Sequence, residues 1–485
     1  MSFSDLSSLP GWWPYAVGTI IALLAVAASV NVIVYKRDVR AAIAWIGVIW
    51  LVPIFGPVLY AILGLNRIRR RAESLQRDRR RLQLATPSAT AIVRVGTDST
   101  VTAPLKQLAR LGEIMSARPL LIGNHVQVLH DGDQTYPAMI EAIDSARRSI
   151  AMASYIFGDD LAGAPIVDAL GRAAARGVKV RVLVDGVGIN YTWPPVHRRL
   201  RRLGVRTALF LPGLRDAGLG FFNLRNHRKI LTVDGRVAFT GGVNIQAKNI
   251  HASGPRSPVR DLHFKLEGPI VGQLQEAFAE DWAFTTREVL DGAEWFPTLI
   301  SAGETTARVY TDGPDGDLEI LRNVLMGALA ASRKSVRIIT PYFLPDSAMI
   351  SALSIAALRG VEVDIILPER VNIRPVQWAA AAQLWQVLRP GCRVYFTPLP
   401  FEHTKLMVVD KAWVLVGSSN WDPRSLRLNF ELDVECFDPQ LAAQLDDLAA
   451  DRIANGRRIT LDEMDARSLP VKVRDGISRL FSPYL

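Results

Sequence analysis

The sequence is poor in cysteine and histidine, with two cysteines and seven histidines in 485 residues. Cys392 and Cys436 both lie in apolar, strand-like stretches, which gives no basis for a disulfide framework. No group of cysteines and histidines has the spacing of a zinc site. We therefore expect neither a metal nor another cofactor, so that any catalysis has to rest on ordinary side chains.

Charge is absent from residues 12–35, a run of 24 residues close to the N-terminus. A helix of this length crosses a hydrocarbon core of about 30 Å. Trp12, Trp13 and Tyr15 stand where side chains at a membrane interface are expected. Because no basic residue precedes the run, and because it is longer than the hydrophobic core of a signal peptide, we expect a retained membrane span.

A second uncharged run covers residues 41–65, but Pro53, Gly56 and Pro57 interrupt its middle. Such an interruption is typical of either a kinked span or a re-entrant hairpin, since the freed backbone groups need new partners in lipid. The predicted membrane anchor is therefore residues 1–65.

Positive charge is concentrated directly after these runs. The formal net charge is +10, and residues 65–85 alone hold eight arginines against Glu73 and Asp78. Such a cluster is attracted to anionic lipid. Lys36, Arg37 and Arg40 between the two runs and the cluster after them give conflicting indications of orientation, and the larger cluster predicts that the following part lies on the cytoplasmic side. Two interpretations of the cluster stay open. It forms a helix that lies on the lipid surface, or it only stops the chain from being translocated and has no further role. Residues 66–117 are predicted to be this basic segment and a linker.

One motif, His-x-Lys-x4-Asp, occurs twice in the chain. The two copies consist of His227, Lys229 and Asp234 and of His403, Lys405 and Asp410. Each copy is followed, at the same distance, by a glycine-containing cluster that ends in Asn244 or Asn420. The apolar residues after each lysine predict a buried strand, so that the histidine and the lysine project to one face. The aspartates stand at odd spacing, and we expect them to close the turn after the strand although they belong to the repeated motif.

Two such units around one phosphorus atom supply two imidazoles, two ammonium groups and two amides. This set suits a two-step displacement, in which one histidine attacks phosphorus, the other protonates the departing oxygen, and the acid and base roles then reverse. The lysines and asparagines would hold the charge on the non-bridging oxygens. The sequence thus predicts phosphodiester chemistry that requires no metal.

The surroundings of the motif repeat as well. Residues 128–132 are similar to residues 309–313, and strand and helix patterns follow each of them in the same order. This alternation predicts an α/β fold with helices on the faces of a sheet. We expect two fused lobes related by pseudo-twofold symmetry, residues 118–300 and 301–485, with one active site between them.

The duplicated motif with its downstream Gly-x-x-Asn resembles the phospholipase D superfamily. Within that superfamily, residues 223–226 and 420–431 resemble the bacterial cardiolipin synthases. The resemblance implies transfer of a phosphatidyl group from one phosphatidylglycerol to a second, which gives cardiolipin and glycerol through a phosphohistidine. It further implies that His227 is the nucleophile and His403 the acid.

Two carboxylates occupy equivalent positions in the repeats, since Asp261 and Glu431 each precede a proline by eight residues. The resemblance implies that they orient the imidazoles and stabilise their charged form. The clusters after the two motifs differ, Gly-Gly-Val-Asn in the first and Gly-Ser-Ser-Asn in the second, which indicates unequal roles for the two halves.

Other functions stay open on the sequence alone. A membrane-bound phospholipase D hydrolase would use the same site with water as the acceptor, and another phosphatidyltransferase would use a different alcohol. A phosphodiesterase acting on nucleic acid is disfavoured by the membrane segments and by the modest charge of the lobes. The intact motifs disfavour a lipid-binding scaffold. The expected partners are phosphatidylglycerol and anionic membrane lipid, with no nucleic acid.

Two apolar stretches are candidates for contact with lipid. Residues 209–224 directly precede the first motif and contain several phenylalanines, leucines and glycines. Residues 376–388 carry Trp378 and Trp385 on a helix-like pattern. The first stretch fits a lipid-contacting loop and a core segment equally well, whereas the second fits core packing better.

Overall fold

The computed structural model describes residues 12–36, 39–61, 103–116, 118–211, 224–313 and 319–482. The chain divides into two compact units, Met1–Arg71 and Ala72–Leu485. The arginine cluster, most of the predicted linker and most of the apolar stretch before the first motif lie outside the described residues.

The N-terminal unit contains the expected apolar helix. Helix α1 covers Trp13–Tyr35, and its segment Tyr15–Tyr35 has a mean hydropathy of 2.4, so that by length and composition it can cross a membrane. The second uncharged run forms α2, Val39–Leu51, and the short α3, Gly56–Leu59. The helix therefore stops where the prolines predicted an interruption.

The second run reverses its direction at this interruption. The Trp50 indole donates to the Ser29 hydroxyl over 3.0 Å, and the Tyr60 hydroxyl donates to the Asn31 side chain over 2.8 Å. Residues 50 and 60 thus contact positions of α1 only two residues apart, whereas a continuous helix would separate them by about 15 Å. A side chain at Gly56 would collide with the backbone of α2, so this glycine permits the close approach. Of the two predicted forms, the geometry favours the re-entrant hairpin.

The second unit opens with α4, Ala103–Met115, and then shows the predicted repeat. The strands of the first lobe are β1 Leu121–His130, β2 Ser149–Ser154, β3 Lys179–Asp185, β4 Arg206–Phe210, β5 Arg225–Asn226, β6 Ile230–Val233, β7 Val237–Gly241, β8 Val259–Arg260 and β9 Leu262–Glu267. Its helices are α5 Asp131–Ser145, α6 Gly163–Ala175, α7 Val196–Arg202 and α8 Ile270–Thr286.

The second lobe repeats this order. Its strands are β10 Thr305–Asp312, β11 Ser335–Ile339, β12 Glu362–Pro368, β13 Arg393–Thr397, β14 Phe401–Glu402, β15 Leu406–Val409, β16 Trp413–Gly417, β17 Asn429–Phe437 and β18 Arg457–Ile459. Its helices are α9 Ile320–Ala331, α10 Ser347–Leu358, α11 Arg374–Ala381, α12 Trp385–Leu388 and α13 Pro439–Ala454, followed by α14 Leu461–Asp465 and α15 Leu469–Leu480.

One mixed sheet runs through both lobes. From its centre outward, the first lobe contributes β1, β9, β7, β6, β2, β3 and β4, and the second contributes β10, β17, β16, β15, β11, β12, β13 and β18. The two halves join where β1 pairs antiparallel with β10, with Leu121 opposite Ala307. The equivalent strand orders confirm the predicted α/β fold and place the pseudo-twofold axis at this junction.

The strands after the two motifs are buried on both faces. In β15, Leu406 and Val408 face a core that contains residues of both lobes, whereas Met407 and Val409 face a core formed by the second lobe and helix α4. Helices α8 and α13 fill the shared core. Because this core joins the lobes, they are held as one body around the residues between them.

Candidate active site

The two motifs lie where each lobe reaches into the other. The short strand β5, directly before His227, pairs with the start of β17 in the second lobe. The short strand β14, directly before His403, pairs with β8 in the first lobe. Each motif histidine is therefore held by backbone pairing with the opposite lobe.

The first histidine is fixed twice by the second lobe. The backbone N–H of His227 donates to the Phe430 carbonyl over 2.9 Å, and Nδ1 of its ring lies 2.8 Å from Oε2 of Glu431. Glu431 also accepts hydrogen bonds from the Ser418 hydroxyl, over 2.6 Å, and from the Asn429 amide, over 3.0 Å. Burial opposes the ionised form of Glu431, but the hydrogen bond and the charge of His227 outweigh it, so that the pKa of Glu431 is lowered.

The second histidine is fixed in the same way by the first lobe. The backbone N–H of His403 donates to the Arg260 carbonyl over 2.7 Å, and Nδ1 of its ring lies 2.6 Å from Oδ2 of Asp261. In both pairs the carboxylate at Nδ1 leaves Nε2 as the ring nitrogen available for chemistry. Burial raises the pKa of Asp261 to about 7, whereas the pKa of Glu431 is lowered, so Asp261 is the more easily protonated of the two.

The glycine and serine that distinguish the two downstream clusters contribute to this difference in pKa. Ser418 donates to Glu431, whereas its counterpart Gly242 packs directly against Asp261. A Cβ atom at Gly242 would lie 2.1 Å from Oδ1 of Asp261, so no side chain fits there. The sequence predicted that the two halves differ. In the structure, the difference is that Glu431 receives a hydrogen bond from Ser418 for which Asp261 has no counterpart at Gly242.

Both motif lysines are buried beside their histidines. Nζ of Lys229 donates to the His227 carbonyl over 2.8 Å, and Nζ of Lys405 donates to the His403 carbonyl. Burial lowers the pKa of Lys229 to about 7 and that of Lys405 to about 8, and for Lys229 the charge of Lys405 acts in the same direction. The charges of the two buried lysines repel each other, and an anion bound beside them would relieve that repulsion.

Asn244 and Asn420 also lie at the site, and both are buried. Among the described residues, neither side-chain oxygen has a hydrogen-bond partner. Buried amides are normally satisfied, so these two are available to a bound ligand.

The two motif aspartates make other contacts. The Asp234 carboxylate accepts hydrogen bonds from the backbone N–H groups of residues 147–149 over 2.7 to 3.2 Å, and Asp410 does the same for residues 333–335 over 2.7 to 2.9 Å. Both aspartates have a positive φ, 51° and 53°, in the turn after the strand. Although they belong to the repeated motif, their carboxylates are used by the backbone rather than by the imidazoles, so we assign them a folding role.

A cavity of about 590 Å³ opens onto both motif histidines and both asparagines. Its wall carries four cations, Arg225, Lys248, Arg370 and Arg424. Its apolar lining includes Tyr155, Tyr191, Tyr342, Ile373 and Val376. The apolar helix pattern at residues 376–388 thus supplies one wall of the cavity through Val376, while Leu384 packs in the second-lobe core.

Several contributors to the site were not predicted. The Tyr155 ring meets the His227 ring edge-on, with 4.9 Å between the ring centroids. Tyr342 also lines the cavity, but it is equivalent to Ile156 rather than to Tyr155, since Phe157 and Phe343 make the same bridge in the two lobes. Lys248 and Arg424 are equivalent, because each follows its active-site asparagine by four residues.

His263 and its counterpart Asp433 lie deeper in the lobes. His263 is buried, neither of its ring nitrogens has a partner among the described residues, and burial lowers its pKa to about 3. Asp433 is held by the Ser419 hydroxyl, and burial raises its pKa to about 7. Neither residue lines the cavity. In the part of the chain that the structure describes, no group of three His, Cys, Asp or Glu side chains is arranged to hold a metal ion.

Comparison with known proteins gives the same two-part picture. A family model described as cardiolipin synthase, PLD-like domain, matches residues 139–282 and 325–452, and a model described as phospholipase D-nuclease N-terminal matches residues 23–64. The cardiolipin synthase of Listeria monocytogenes serotype 4a (strain HCC23) is 30% identical over 482 residues, which cover 98% of this chain and 100% of that protein. Cardiolipin synthase A of Pseudomonas entomophila (strain L48) is 31% identical over 485 residues, covering 98% and 99%.

Among solved structures, a phosphatidylserine synthase from Haemophilus influenzae has the same fold. It superposes with a TM-score of 0.62 at 17% identity, over 78% of this chain and 100% of that one.

Proposed function

The chain belongs to the cardiolipin synthase family of phospholipase D-like proteins, and from this premise we propose that it joins two phosphatidylglycerol molecules into cardiolipin and glycerol. One observation carries the chemistry: each motif histidine is oriented at Nδ1 by a buried carboxylate of the other lobe, so that two imidazole Nε2 atoms serve one cavity.

In the first step, Nε2 of His227 attacks the phosphorus of the donor, and the bond from phosphorus to the glycerol oxygen breaks. His403 gives its proton to that oxygen, and glycerol leaves. Burial lowers the pKa of His403 well below its usual value, and the neighbouring lysine charges act in the same direction. A bound phosphodiester adds negative charge, which offsets the lysines and favours the protonated acid.

In the second step, a hydroxyl group of the second phosphatidylglycerol attacks the phosphohistidine. Its proton passes to His403 as the new bond from oxygen to phosphorus forms and the bond from phosphorus to His227 breaks. Lys229, Lys405, Asn244 and Asn420 hold the non-bridging oxygens throughout. The two buried lysines support this assignment, because an ammonium group pairs with an anionic ligand. The asparagines would contribute through their Nδ2–H donors, since the Oδ1 atoms without a partner are acceptors and suit a hydroxyl group of the ligand.

The extra hydrogen bond to Glu431 supports His227 as the nucleophile. An ionised Glu431 holds the Nδ1–H tautomer and stabilises the positive charge that the ring gains on attack. Asp261 is more easily protonated and has no serine partner, which suits a ring that exchanges a proton in each step.

The cations of the cavity wall support a lipid rather than water as the acceptor. Lys248 lines the cavity together with His403, and its charge contributes to lowering the pKa of His403 after burial and the nearer charges. A second phosphatidylglycerol brings a second phosphate, and a cation beside the acid and base residue binds it before transfer.

The hairpin of the N-terminal unit supports a cytoplasmic location for the lobes at a bacterial inner membrane. A re-entrant second segment returns to the side from which it entered. The basic residues Lys36, Arg37 and Arg40 and the later arginine cluster then lie on one side, and both satisfy the positive-inside rule. A second full span would have put these charges on opposite sides.

The proposed reaction is tested on purified protein in detergent with phosphatidylglycerol as the sole phospholipid. Cardiolipin and glycerol should appear in equal amounts, with little phosphatidic acid, and His227→Ala and His403→Ala should both be inactive. Phosphatidic acid as the main product would contradict the acceptor and identify a hydrolase.

The roles of the histidines are separated by a donor whose leaving group needs no proton, such as phosphatidyl-p-nitrophenol. His403→Ala should release p-nitrophenol in a burst and carry the phosphatidyl label on His227, whereas His227→Ala should show no burst. The opposite pattern would exchange the two roles while leaving the overall reaction intact.

A further inference from the structure

Helix α15 carries an apolar stripe that faces outward. Its members are Leu469, Val473, Ile477, Leu480 and Phe481, which are 51% to 73% exposed. They are spaced by three or four residues, so they form one continuous face of the helix. Five exposed large side chains in one row are unusual on a surface that only water covers.

The opposite face fixes the helix to the lobe. Asp475 is buried and accepts hydrogen bonds from Arg467 over 2.7 Å and from Arg474 over 2.9 Å and 2.7 Å. The Arg474 guanidinium also stacks over the Trp378 ring, at 4.6 Å from its centroid. The orientation of the stripe is therefore set by buried contacts, and the helix cannot turn to hide it.

Basic side chains flank the stripe. Lys472 and Arg479 are exposed beside it, and no acidic residue lies on the exposed part of the helix, since Asp475 is buried. A row of apolar side chains bordered by cations is the pattern of a helix that lies in the interface of an anionic membrane.

The helix that carries the stripe is connected to the cavity wall through α11. Helix α15 packs against α11, and α11 with the residue before it provides Val376 and Ile373 to the cavity wall. Ile373 is 46% exposed. Across the cavity, Tyr191 lines the wall and is mostly exposed, as is Trp193 two residues later. Exposed apolar side chains are thus found on α15, before α11 at the cavity wall, and on the wall opposite.

We propose that the stripe of α15, with Ile373, Tyr191 and Trp193, is a surface by which the catalytic unit docks on an anionic lipid bilayer. Docked in this way, the cavity opens toward the lipid, and a phospholipid head group enters it while its acyl chains stay in the membrane. The surface rests on the proposed function only in taking phospholipid as the substrate, and it does not depend on the chemical step.

The flanking charge favours lipid over a second protein chain as the occupant. If the stripe packed against α15 of a second copy, Lys472 and Arg479 would lie close to the same residues of that copy, and the like charges would repel. An anionic head-group layer pairs with both.

Docking is tested on the full chain in the inactive His227→Ala background, reconstituted into vesicles. Ile477→Cys is labelled with an environment-sensitive fluorophore, and Gln444→Cys, on the exposed face of α13, is the matched control. Both native thiols are buried, so each variant offers one reactive site. With phosphatidylglycerol present, nitroxide-bearing lipids should remove roughly half of the fluorescence at residue 477 and little at residue 444. Pure phosphatidylcholine vesicles should weaken the quenching.

Equal quenching at both positions would overturn the proposal. So would disulfide cross-linking of Ile477→Cys between copies without lipid quenching, because the stripe would then be a contact between two chains.

A second measurement links docking to turnover. Val473→Glu with Ile477→Glu should slow cardiolipin formation on vesicles roughly tenfold, because two exposed apolar side chains that would enter the lipid on docking become charged. Dispersed short-chain phosphatidylglycerol should be used at an unchanged rate, and the unfolding temperature should stay the same. Gln444→Glu should change neither rate. An equal loss with both substrates would show a structural effect instead, and no loss with either would show that the stripe is not a docking surface.

Discussion

Glu431 and His227 are 204 residues apart in the chain and lie in different lobes, yet 2.8 Å separates the carboxylate from the imidazole Nδ1. His403 and Asp261 repeat this relationship with the lobes exchanged. Each lobe thus provides one imidazole and the orienting group for the other lobe's imidazole.

Replacing Glu431 by glutamine should lower kcat roughly 10²- to 10⁴-fold with little change in KM, because the His227 ring loses the charge that holds its tautomer. Cardiolipin formation under steady-state conditions measures this effect. The exposed Asp462→Asn is the control and should stay active. A fall confined to KM would contradict an orienting role.

Adding one methyl group at Gly242 should disable the site through Asp261. The new Cβ would lie 2.1 Å from Oδ1, so that the carboxylate has to leave His403. Ser418→Ala removes only a hydrogen bond and should cost about tenfold in kcat. If Gly242→Ala were as active as Ser418→Ala, the close packing against Asp261 would be irrelevant to catalysis.

The motif aspartates should affect stability rather than chemistry. Asp234→Ala leaves three backbone N–H groups without their acceptor and should lower the free energy of unfolding by about 2 kcal/mol or more. Thermal unfolding in detergent and the rate per folded molecule separate the two effects. A fully folded but inactive Asp234→Ala would assign this residue to catalysis after all.

Binding of a tetrahedral oxyanion such as tungstate should weaken as the pH rises from about 6 to about 9. The reason is that burial lowers the pKa of Lys229 to about 7 and that of Lys405 to about 8, so both ammonium groups lose their protons within this range. Titration of the affinity by calorimetry measures the slope, and Lys405→Met should reduce both the affinity and the slope. An affinity independent of pH would mean that the lysines keep their usual pKa.

Lys248→Gln should change which acceptor is used. In a mixture of phosphatidylglycerol and butanol, cardiolipin should fall several-fold relative to phosphatidylbutanol, while consumption of the donor changes little. Arg287→Gln removes a cation that does not line the cavity, so this control variant should leave the product ratio unchanged. An unchanged product ratio would remove Lys248 from acceptor binding.

The sequence allowed prediction of the repeat and of the strands after each motif, and four of the predicted site residues, the motif histidines with Asn244 and Asn420, line the cavity. These follow from local patterns, because identical spacing in two halves implies equivalent places in two equivalent folds. The exchange of Asp261 and Glu431 between lobes was not predictable, since spacing within one repeat carries no information about the other. The two forms left open for residues 41–65 differ only in tertiary contacts, here those of Trp50 and Tyr60 with α1.

The role of Ser418 was missed for a similar reason. Its difference from Gly242 was visible in the sequence, but the meaning of that difference depends on a carboxylate thirteen residues away on another strand. The stripe of α15 lies in a C-terminal segment outside the repeated pattern on which the sequence argument rested.

The exchange of carboxylates also constrains how such a protein can change over generations. Neither half holds a complete catalytic pair, so neither can be kept as a working enzyme while the other decays. An arrangement in which each copy lends its carboxylate to the other is what a symmetric dimer of identical chains would already possess. Within one chain the two halves keep this exchange and can still differ in sequence, as they do at Gly242 and Ser418.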